Sequence, residues 1–304
     1  MDTPVKLAVF GAGLLAVFGV AVGVGTAVGP VGTAAEPAHD MAGDALAGQA
    51  GNGAAAAQDA ARPAGLAVSE DGYTLALDAP AVPAGDDVPL TFRVLGPDGS
   101  PVTDFAARHE EDLHLVAVRR DLSGYQHVHP EMAADGVWRV PLDLSPGSWR
   151  VFADFAPGAD GEARTLGADL SVAGDYAPEP LPAPAAVAEV DGYTVVLDGA
   201  LTPGGGSELR FGISRDGVPV SDLEPYLGAF GHLVVLRTGD LGYLHVHPSD
   251  PPAGAAPAPG PNVAFGTTAP SAGTYRLFLD FRHGGTVHTA AFTVTTGAHE
   301  EHGS

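Results

Sequence analysis

Two copies of one pattern, 118 positions apart, are the feature that most restricts how this chain can fold. "YQHVHP" begins at residue 125 and "YLHVHP" at residue 243. Other segments recur in the same order, for example "DGYTLALD" at 71–78 and "DGYTVVLD" at 191–198. The echo indicates an internal duplication, so whatever both copies retain is a candidate for shared structure or shared chemistry.

Each copy consists of short strand-like segments separated by turn residues, and no amphipathic helix pattern follows residue 66. Strands are expected near 73–78, 88–95, 112–120, 125–130, 136–144, 147–155 and 163–173, and near 193–198, 207–215, 231–239, 243–248, 262–269, 273–281 and 286–295. About seven strands in some 100 residues are typical of an immunoglobulin-like β-sandwich, here present twice in an all-β chain. A barrel is the structural alternative.

The remaining segments complete the predicted organisation. We expect a signal peptide or signal-anchor at 1–30, a flexible Ala/Gly-rich spacer at 31–65, a first β-sandwich at 66–174, a Pro-rich linker at 175–188, a second β-sandwich at 189–297 and a tail at 298–304. The spacer composition favours a flexible coil, and the proline-rich composition favours an extended, semi-rigid linker. The two sandwiches are called the first and second repeat below.

The N-terminal segment 7–28 is apolar and uncharged, with Lys6 before it and Glu36 after it. As a helix it would be about 33 Å long, enough to cross a bilayer. The positive end should stay in the cytoplasm, which sends the rest of the chain outside. We favour a retained transmembrane anchor over a cleaved signal, because the apolar stretch is longer than a typical signal core. The expected location is the cell membrane, single-pass with both repeats extracytoplasmic, or alternatively secretion.

Composition removes several classes of function. With 37 acidic and 14 basic residues the formal net charge is -23, so phosphate backbones would be repelled and no nucleic-acid partner is expected. The absence of cysteine excludes disulfides, thiolate chemistry and Cys-type zinc sites. Three methionines are too few for a thioether-rich Cu(I) site.

The histidines of the repeated motif are the candidate ligands. His127 and His129 would share one face of a strand, because side chains alternate along it. A hairpin turning at Leu122–Ser123 would pair position 118 with His127. His114, on the preceding strand, would then lie diagonally from His129 and within reach of a common centre.

The second copy has the same set, His232, His245 and His247. Three converging imidazoles suit a divalent cation, and without soft ligands the candidates are Cu(II) and Zn(II). Binding needs neutral imidazoles, so it should weaken below about pH 6. An alternative remains open at this point: duplicated packing, with the histidines tied to backbone carbonyls.

Four further residues extend the candidate site. His109 and Glu131 occur only in the first copy and could be auxiliary ligands. Asp154 and Asp280 end equivalent strands, and each could accept a hydrogen bond from the outer N–H of a ligating histidine. A salt bridge to a strand arginine or a turn cap is the alternative role for these two carboxylates.

The runs "HEEDLHLVAVRRDLSGYQHVHPEM" and "GHLVVLRTGDLGYLHVHP" resemble a group of actinobacterial exported or membrane-anchored proteins with a tandem His-x-His-Pro unit. The resemblance implies an extracytoplasmic metal-binding role, loosely linked to copper handling, and no established reaction. The matching positions are His109, His114, His127, His129, Pro130, His232, His245, His247 and Pro248. Leu227 stands in the second copy where His109 stands in the first, which argues against a shared four-histidine site.

Three functions follow as hypotheses. The first is a non-enzymatic metal-binding protein, a Cu(II) or Zn(II) carrier, buffer or sensor anchored in the cytoplasmic membrane through residues 7–28. The alternative is a non-catalytic envelope protein that binds another envelope protein and uses its histidines for packing. A metal-dependent hydrolase with Glu131 as general base is ranked last, because the second copy lacks a matching glutamate.

Overall fold

The computed structural model describes residues 63–244, 246–249 and 258–296. The predicted spanning segment 7–28, most of the spacer and the tail lie outside the described residues. In the part that is described, no helix is long and apolar enough to cross a membrane. The regular structure of that part consists of strands.

The first repeat is a sandwich of two five-stranded sheets. Its strands are β1 (Ser69–Glu70), β2 (Tyr73–Leu77), β3 (Ala81–Pro83), β4 (Gly85–Leu95), β5 (Leu113–Arg119), β6 (Gln126–Val128), β7 (Glu131–Met132), β8 (Trp138–Leu144), β9 (Gly147–Phe155) and β10 (Arg164–Ala173). One sheet has the order β1-β2-β4-β8-β7 and the other β3-β10-β9-β5-β6.

The second repeat has the same architecture. Its strands are β11 (Val187–Val190), β12 (Tyr193–Asp198), β13 (Gly206–Arg215), β14 (Val218–Pro219), β15 (His232–Arg237), β16 (Tyr243–Leu244), β17 (Val246–Pro248), β18 (Asn262–Thr268), β19 (Thr274–His283) and β20 (Thr286–Thr295). One sheet runs β11-β12-β13-β18-β17 with β14 beside β13, and the other runs β16-β15-β19-β20. The described residues therefore confirm an all-β fold with two repeated sandwich domains.

Alternating side chains build the core of each sandwich. Along β8 every second residue from Trp138 to Leu144 is buried, which is the period of a strand with one covered face. Aromatic rings fill the centre of the first core, where Phe92 stacks on Trp138 at 6.2 Å between ring centroids. Phe211, Phe265 and other fully buried residues serve the second core.

A third apolar cluster joins the two repeats and is called the inter-repeat core. Its buried members are Val116, Val118, Leu122, Phe152, Val234, Leu236, Leu241 and Phe278. β5 and β15 are accordingly buried on both faces, one toward their own sandwich and one toward the other repeat. His114 and His232 lie on the same strand faces as Val116 and Val234, so both point into the contact between the repeats.

The turn between β5 and β6 sets which residues oppose each other, and here the predicted pairing of 118 with 127 was wrong. Val116 opposes His127 instead. Leu122 and Gly124 adopt left-handed conformations (φ 67° and 64°), and the returning strand contains one extra residue before pairing resumes. A shift of two positions keeps His127 on the predicted face. Leu115 opposes Val128, so continuing this pairing by one residue places His129 opposite His114.

The two copies differ in where the returning strand changes sheets. In the second repeat β16 pairs with β15, but β17 pairs with β18 of the opposite sheet. In the first repeat β6 still pairs with β5, and the crossing to β7 follows Pro130. The strand predicted at 243–248 is thus two short strands in two sheets.

Candidate metal centre

His114 is held by a tight turn that immediately precedes β5. Its Nε2–H donates to the carbonyl oxygen of Arg108 at 2.9 Å. Arg108 and Glu111 close the turn with two backbone hydrogen bonds, of 2.8 and 3.1 Å. A carbonyl can only accept, so the proton of neutral His114 is on Nε2 and its Nδ1 carries a lone pair.

His127 is held by the other repeat. Its Nδ1 lies 2.9 Å from Oδ2 of Asp280, and the two side chains are only 7% and 3% exposed. Asp280 also accepts hydrogen bonds from the hydroxyls of Thr289 at 2.6 Å and Tyr125 at 3.2 Å. The carboxylate fixes the His127 proton on Nδ1, so Nε2 of the neutral ring carries the lone pair.

The free nitrogens of three rings meet at one point. Nδ1 of His114 lies 3.2 Å from Nε2 of His127 and 3.2 Å from Nε2 of His129. These three residues, called the histidine triplet, offer ligand atoms that all lie within 4.8 Å of one another. In neutral rings the lone pairs of His114 and His127 face each other with no proton between them, which is unfavourable unless a cation lies between the rings.

The spacing of the triplet matches a common cation. Zn–N bonds of about 2.0–2.1 Å in a tetrahedral arrangement give N···N separations of about 3.3 Å and ring-centroid separations of about 5.2 Å. The ring centroids of the triplet are 5.4, 5.0 and 5.1 Å apart. The residues present therefore fit three ligands of one tetrahedral ion with its fourth position open.

Burial favours the neutral form of His114 and His129. Burial lowers the pKa of His114 to about 4, although the bond to the Arg108 carbonyl opposes the shift. Burial, together with the neighbouring His127 and His114, lowers the pKa of His129 to about 3. Neutral imidazoles are the form that binds metal, and burial favours that form at His114 and His129.

His232 of the second repeat lines a cavity that His114 and His127 also line. Its Nε2–H donates to the backbone carbonyl of Tyr226 at 2.8 Å, as Nε2–H of His114 donates to the carbonyl of Arg108. Burial lowers the pKa of His232 to about 4. The cavity measures about 60 Å³, and its lining includes His109, His114, His127, Asp154 and His232. Two waters in liquid occupy a similar volume, so an ion with a bound water fits.

The predicted second triplet is described only in part. His245 lies outside the described residues. His247 is exposed on β17, opposite Gly266 of the other sheet, and it lines an outer cleft. Its strand neighbours Val246 and Pro248 face the cavity of His232, so alternation directs His247 away from that cavity. His247 has this orientation because the returning strand of the second repeat changes sheets earlier than that of the first.

The auxiliary residues divide into two groups. His109 lies beside the cavity, with ring centroids 6.0 Å from His114 and 5.3 Å from His232. Glu131 is exposed on β7, opposes Arg139 of β8 and is not among the three residues whose ligand atoms converge. Asp154 lines the cavity and opposes His114, as Asp280 opposes His232. Asp280, rather than Asp154, accepts the bond from a triplet histidine.

Sequence reasoning missed that one site uses both repeats. The available signal was the uninterrupted apolar run of β5 and β15, which is typical of strands covered on both faces. His283 and His288, which occur only in the second copy, pair with Asp222 at 3.2 Å and Asp191 at 2.7 Å, away from the cavity lining.

Fold and site together define a tandem β-sandwich protein with a histidine-lined cavity between its repeats. The chain belongs to the family described as Domain of unknown function (DUF8832), which matches twice, at residues 67–174 and 188–298. No protein of curated function matches the sequence.

Several solved structures are similar at low identity. FdeC, an Escherichia coli adhesin, is 17% identical with a TM-score of 0.24, over 76% of this chain and 66% of that chain. The fibronectin(III)-like modules of Clostridium thermocellum CbhA are 9% identical with a TM-score of 0.21, over 76% and 100%. Invasin, a bacterial integrin-binding protein, is 13% identical with a TM-score of 0.21, over 74% and 39%. At these TM-scores the likenesses carry no argument about function.

Proposed function

We propose that this chain binds a divalent transition metal, Zn(II) or Cu(II), through His114, His127 and His129. One observation carries the proposal. His114 and His127 each use one ring nitrogen to donate a hydrogen bond, to the Arg108 carbonyl and to Asp280, and their other ring nitrogens lie 3.2 Å apart. A cation between them turns that repulsion into coordination. The outer acceptors, a carbonyl and a carboxylate, are the partners that orient histidine ligands in metalloproteins.

The two metals are favoured by different properties of the site. The nearly equal ring separations of 5.0–5.4 Å suit the tetrahedral geometry of Zn(II). The affinity order of first-row metals favours Cu(II), which prefers a tetragonal arrangement. Competition between the two ions decides which one the site selects.

The biological role that we propose is that of a carrier, buffer or sensor outside the cytoplasm. Anchoring through residues 7–28 is part of this proposal and rests on sequence alone. We propose no catalytic role, because Glu131, the general base of the hydrolase hypothesis, is exposed on a strand of the other sheet.

The contact between His127 of the first repeat and Asp280 of the second favours a second candidate, a non-catalytic envelope interaction protein. If His127 carries a second proton, its Nε2–H donates to Nδ1 of His114, and the ion pair with Asp280 links the repeats without metal. The histidines would then stabilise the contact beside the inter-repeat core. An adhesin and an integrin-binding protein are among the similar structures, but their TM-scores are too low to support this candidate.

Metal titration separates the two candidates. The full chain in detergent is titrated with Zn(II) and separately with Cu(II), and bound metal is counted after dialysis. A His114→Gln/His127→Gln variant should lose the tight site. The matched control, His283→Gln/His288→Gln, removes two histidines outside the cavity lining and should keep it.

The fold of each variant is checked by circular dichroism and thermal unfolding. His129 is only half-buried, so His129→Gln is the milder variant if the double variant unfolds. Equal metal binding by the wild type and a folded His129→Gln chain would overturn the metal proposal and leave the packing role.

A further inference from the structure

We propose that residues 63–67, called the strap, fasten the two repeats to each other and thereby control how fast a bound ion leaves the histidine triplet. This inference rests on the proposed function, because it concerns the release of the ion held there. The strap follows most of the predicted spacer in the sequence and precedes β1. It supplies no ligand to the ion and acts through the contact between the repeats.

The strap is hydrogen-bonded to both repeats. The backbone N–H of Ala64 donates to the carbonyl oxygen of Tyr243 at 2.9 Å, and the N–H of Tyr243 donates back to the carbonyl oxygen of Ala64 at 3.0 Å. The next residue, Gly65, donates to the carbonyl oxygen of Thr165 at 2.8 Å. Tyr243 begins β16 of the second repeat, and Thr165 belongs to β10 of the first. The strap therefore bridges the edges of two sheets that belong to different repeats.

A buried arginine of the first repeat fixes the path of the strap. One terminal nitrogen of Arg150 donates to the carbonyl oxygens of Gly65 at 2.6 Å and Leu66 at 3.0 Å. Hydrogen bonds from a charged donor are stronger than those between neutral groups. Arg150 is only 8% exposed, so water competes little for these two carbonyls. The strap is consequently held in one position on the first repeat.

Glycines make the close approach of the strap possible. A β-carbon on Gly167 of β10 would lie 2.1 Å from the carbonyl oxygen of Gly65, and one on Gly242 would lie 2.6 Å from the ring of Pro63. Gly65 itself has φ of 70°, and a β-carbon there would lie 2.5 Å from the ring of Phe152. Any side chain at these positions would displace the strap or its neighbours.

The corresponding edge of the second repeat is closed to such a strap. Ala291 stands opposite Phe278 as Gly167 stands opposite Phe152, so a methyl group occupies the place where the strap carbonyl passes in the first repeat. The segment before β11 follows a different path, in which Ala185 donates to the carbonyl oxygen of Thr293 at 3.1 Å. The fit to the strap is therefore a property of β10 rather than of both copies.

Tyr243 connects the strap to the cavity. Its backbone is held by Ala64, and its side chain lines the cavity together with His114 and His127. The ring of Tyr243 also lies 5.5 Å from that of Phe152, a member of the inter-repeat core. The cavity walls come from both repeats, so local opening at the strap loosens their contact and admits water to the ion.

The rate of Zn(II) release from a Gly167→Ala chain tests the proposal. The substitution copies Ala291 of the second repeat, so the sandwich should accept it while the strap is displaced. The Zn(II)-loaded full chain in detergent is mixed with a chromophoric chelator, and release is followed over time. We expect Gly167→Ala to release its ion at least about tenfold faster than wild type, because the open form of the contact is more populated.

The matched control is Gly206→Ala in β13, where an added β-carbon would meet no described atom within 4 Å. It should release Zn(II) at the wild-type rate. Gly65→Val is a second strap variant, because a branched side chain at φ of 70° collides with Phe152 while the strands of both sandwiches are unchanged. Hydrogen exchange of the Tyr243 amide measures docking of the strap, and both strap variants should lose its protection.

Three outcomes would overturn the proposal. Release within about twofold of the wild-type rate in both strap variants, with the Tyr243 amide unprotected, would make the strap a structural feature alone. Protection that persists in both variants would show that the strap does not depend on the glycine fit. Equally fast release from Gly206→Ala would indicate general loosening. Failure of the proposed function is recognised separately, because a wild-type chain would then retain no Zn(II) before any variant is compared.

Discussion

Asp280 of the second repeat lies 2.9 Å from Nδ1 of His127 of the first, and both side chains are almost fully buried. The residue that orients a triplet histidine therefore comes from the opposite repeat. Removing the charge of Asp280 leaves the ring without the partner that fixes its tautomer. Metal affinity and the contact between the repeats should consequently change together.

Asp280→Asn tests this coupling with almost no change in shape. We expect the affinity for Zn(II) to fall by about 10–100-fold, the usual effect of losing an outer partner of a ligating histidine. Competition with a chromophoric chelator measures the affinity. Asp222→Asn is the matched control, because Asp222 pairs with His283 away from the cavity lining and is exposed. An Asp280→Asn chain with wild-type affinity would show that His127 does not depend on the other repeat.

Phe278→Ala tests the inter-repeat core. Phe278 is 3% exposed and stacks on Tyr125 at 4.0 Å between centroids. Truncation of a buried phenylalanine costs about 3–5 kcal/mol. It should also loosen the bond from the Tyr125 hydroxyl to Asp280 and weaken metal binding. Urea unfolding and metal titration measure the two effects.

Val196→Ala, at a position 45% exposed, is the control for that substitution and should change the free energy of unfolding by less than about 0.5 kcal/mol. If Phe278→Ala destabilises the chain but leaves metal affinity intact, the site does not require close packing of the two repeats.

The stability of the metal-free chain should fall with acidification. Burial lowers the pKa of His114 and His232 to about 4 and that of His129 to about 3, from 6.5. Between about pH 6.5 and pH 4 the unfolded chain therefore binds protons that the folded chain does not. The free energy of unfolding should decrease through this window by up to about 1.4 kcal/mol per pH unit for each histidine.

Urea unfolding in the presence of a chelator, at several pH values from 7.5 to 4.5, measures this dependence. His129→Gln should give a shallower slope because one of the three groups is absent. A free energy of unfolding that stays constant from pH 7.5 to pH 4.5 would contradict the burial of neutral imidazoles.

Glu110→Gly tests whether the turn before β5 is strained. Glu110 has φ of 71°, and Gly228 occupies the equivalent position of the second repeat. Glycine adopts this conformation without steric cost, so we expect a gain of about 0.5–1 kcal/mol in the free energy of unfolding. Thermal and urea unfolding would detect it. Glu131→Gly, within strand β7, should have the opposite sign, and a loss of stability in both variants would refute the strain.

Much of the fold could be predicted from the sequence. The duplication and the alternation of apolar residues were enough for fourteen expected strands, thirteen of which appear near their expected places while the segment at 243–248 divides into two. The exception has a local cause. Pairing of Val246–Pro248 with β18 moves that segment to the opposite sheet, and no residue pattern in "YLHVHPSD" marks the crossing.

The convergence of His114, His127 and His129 could also be predicted, although their register could not. The shift depends on the left-handed conformations of Leu122 and Gly124, and a β-carbon on Gly124 would lie 2.5 Å from the ring of Trp149. Such tertiary contacts are not visible in the sequence. The role of Asp280 toward the other repeat was hidden for the same reason, since it depends on how two sandwiches pack.

X-ray absorption of the chain loaded with one equivalent of Zn(II) tests the central claim most directly, because it counts the imidazoles on the ion. The structure predicts three imidazole ligands at about 2.0–2.1 Å in wild type, and two in His129→Gln. A spectrum without imidazole scattering, or one that His129→Gln leaves unchanged, would contradict a metal centre at His114, His127 and His129.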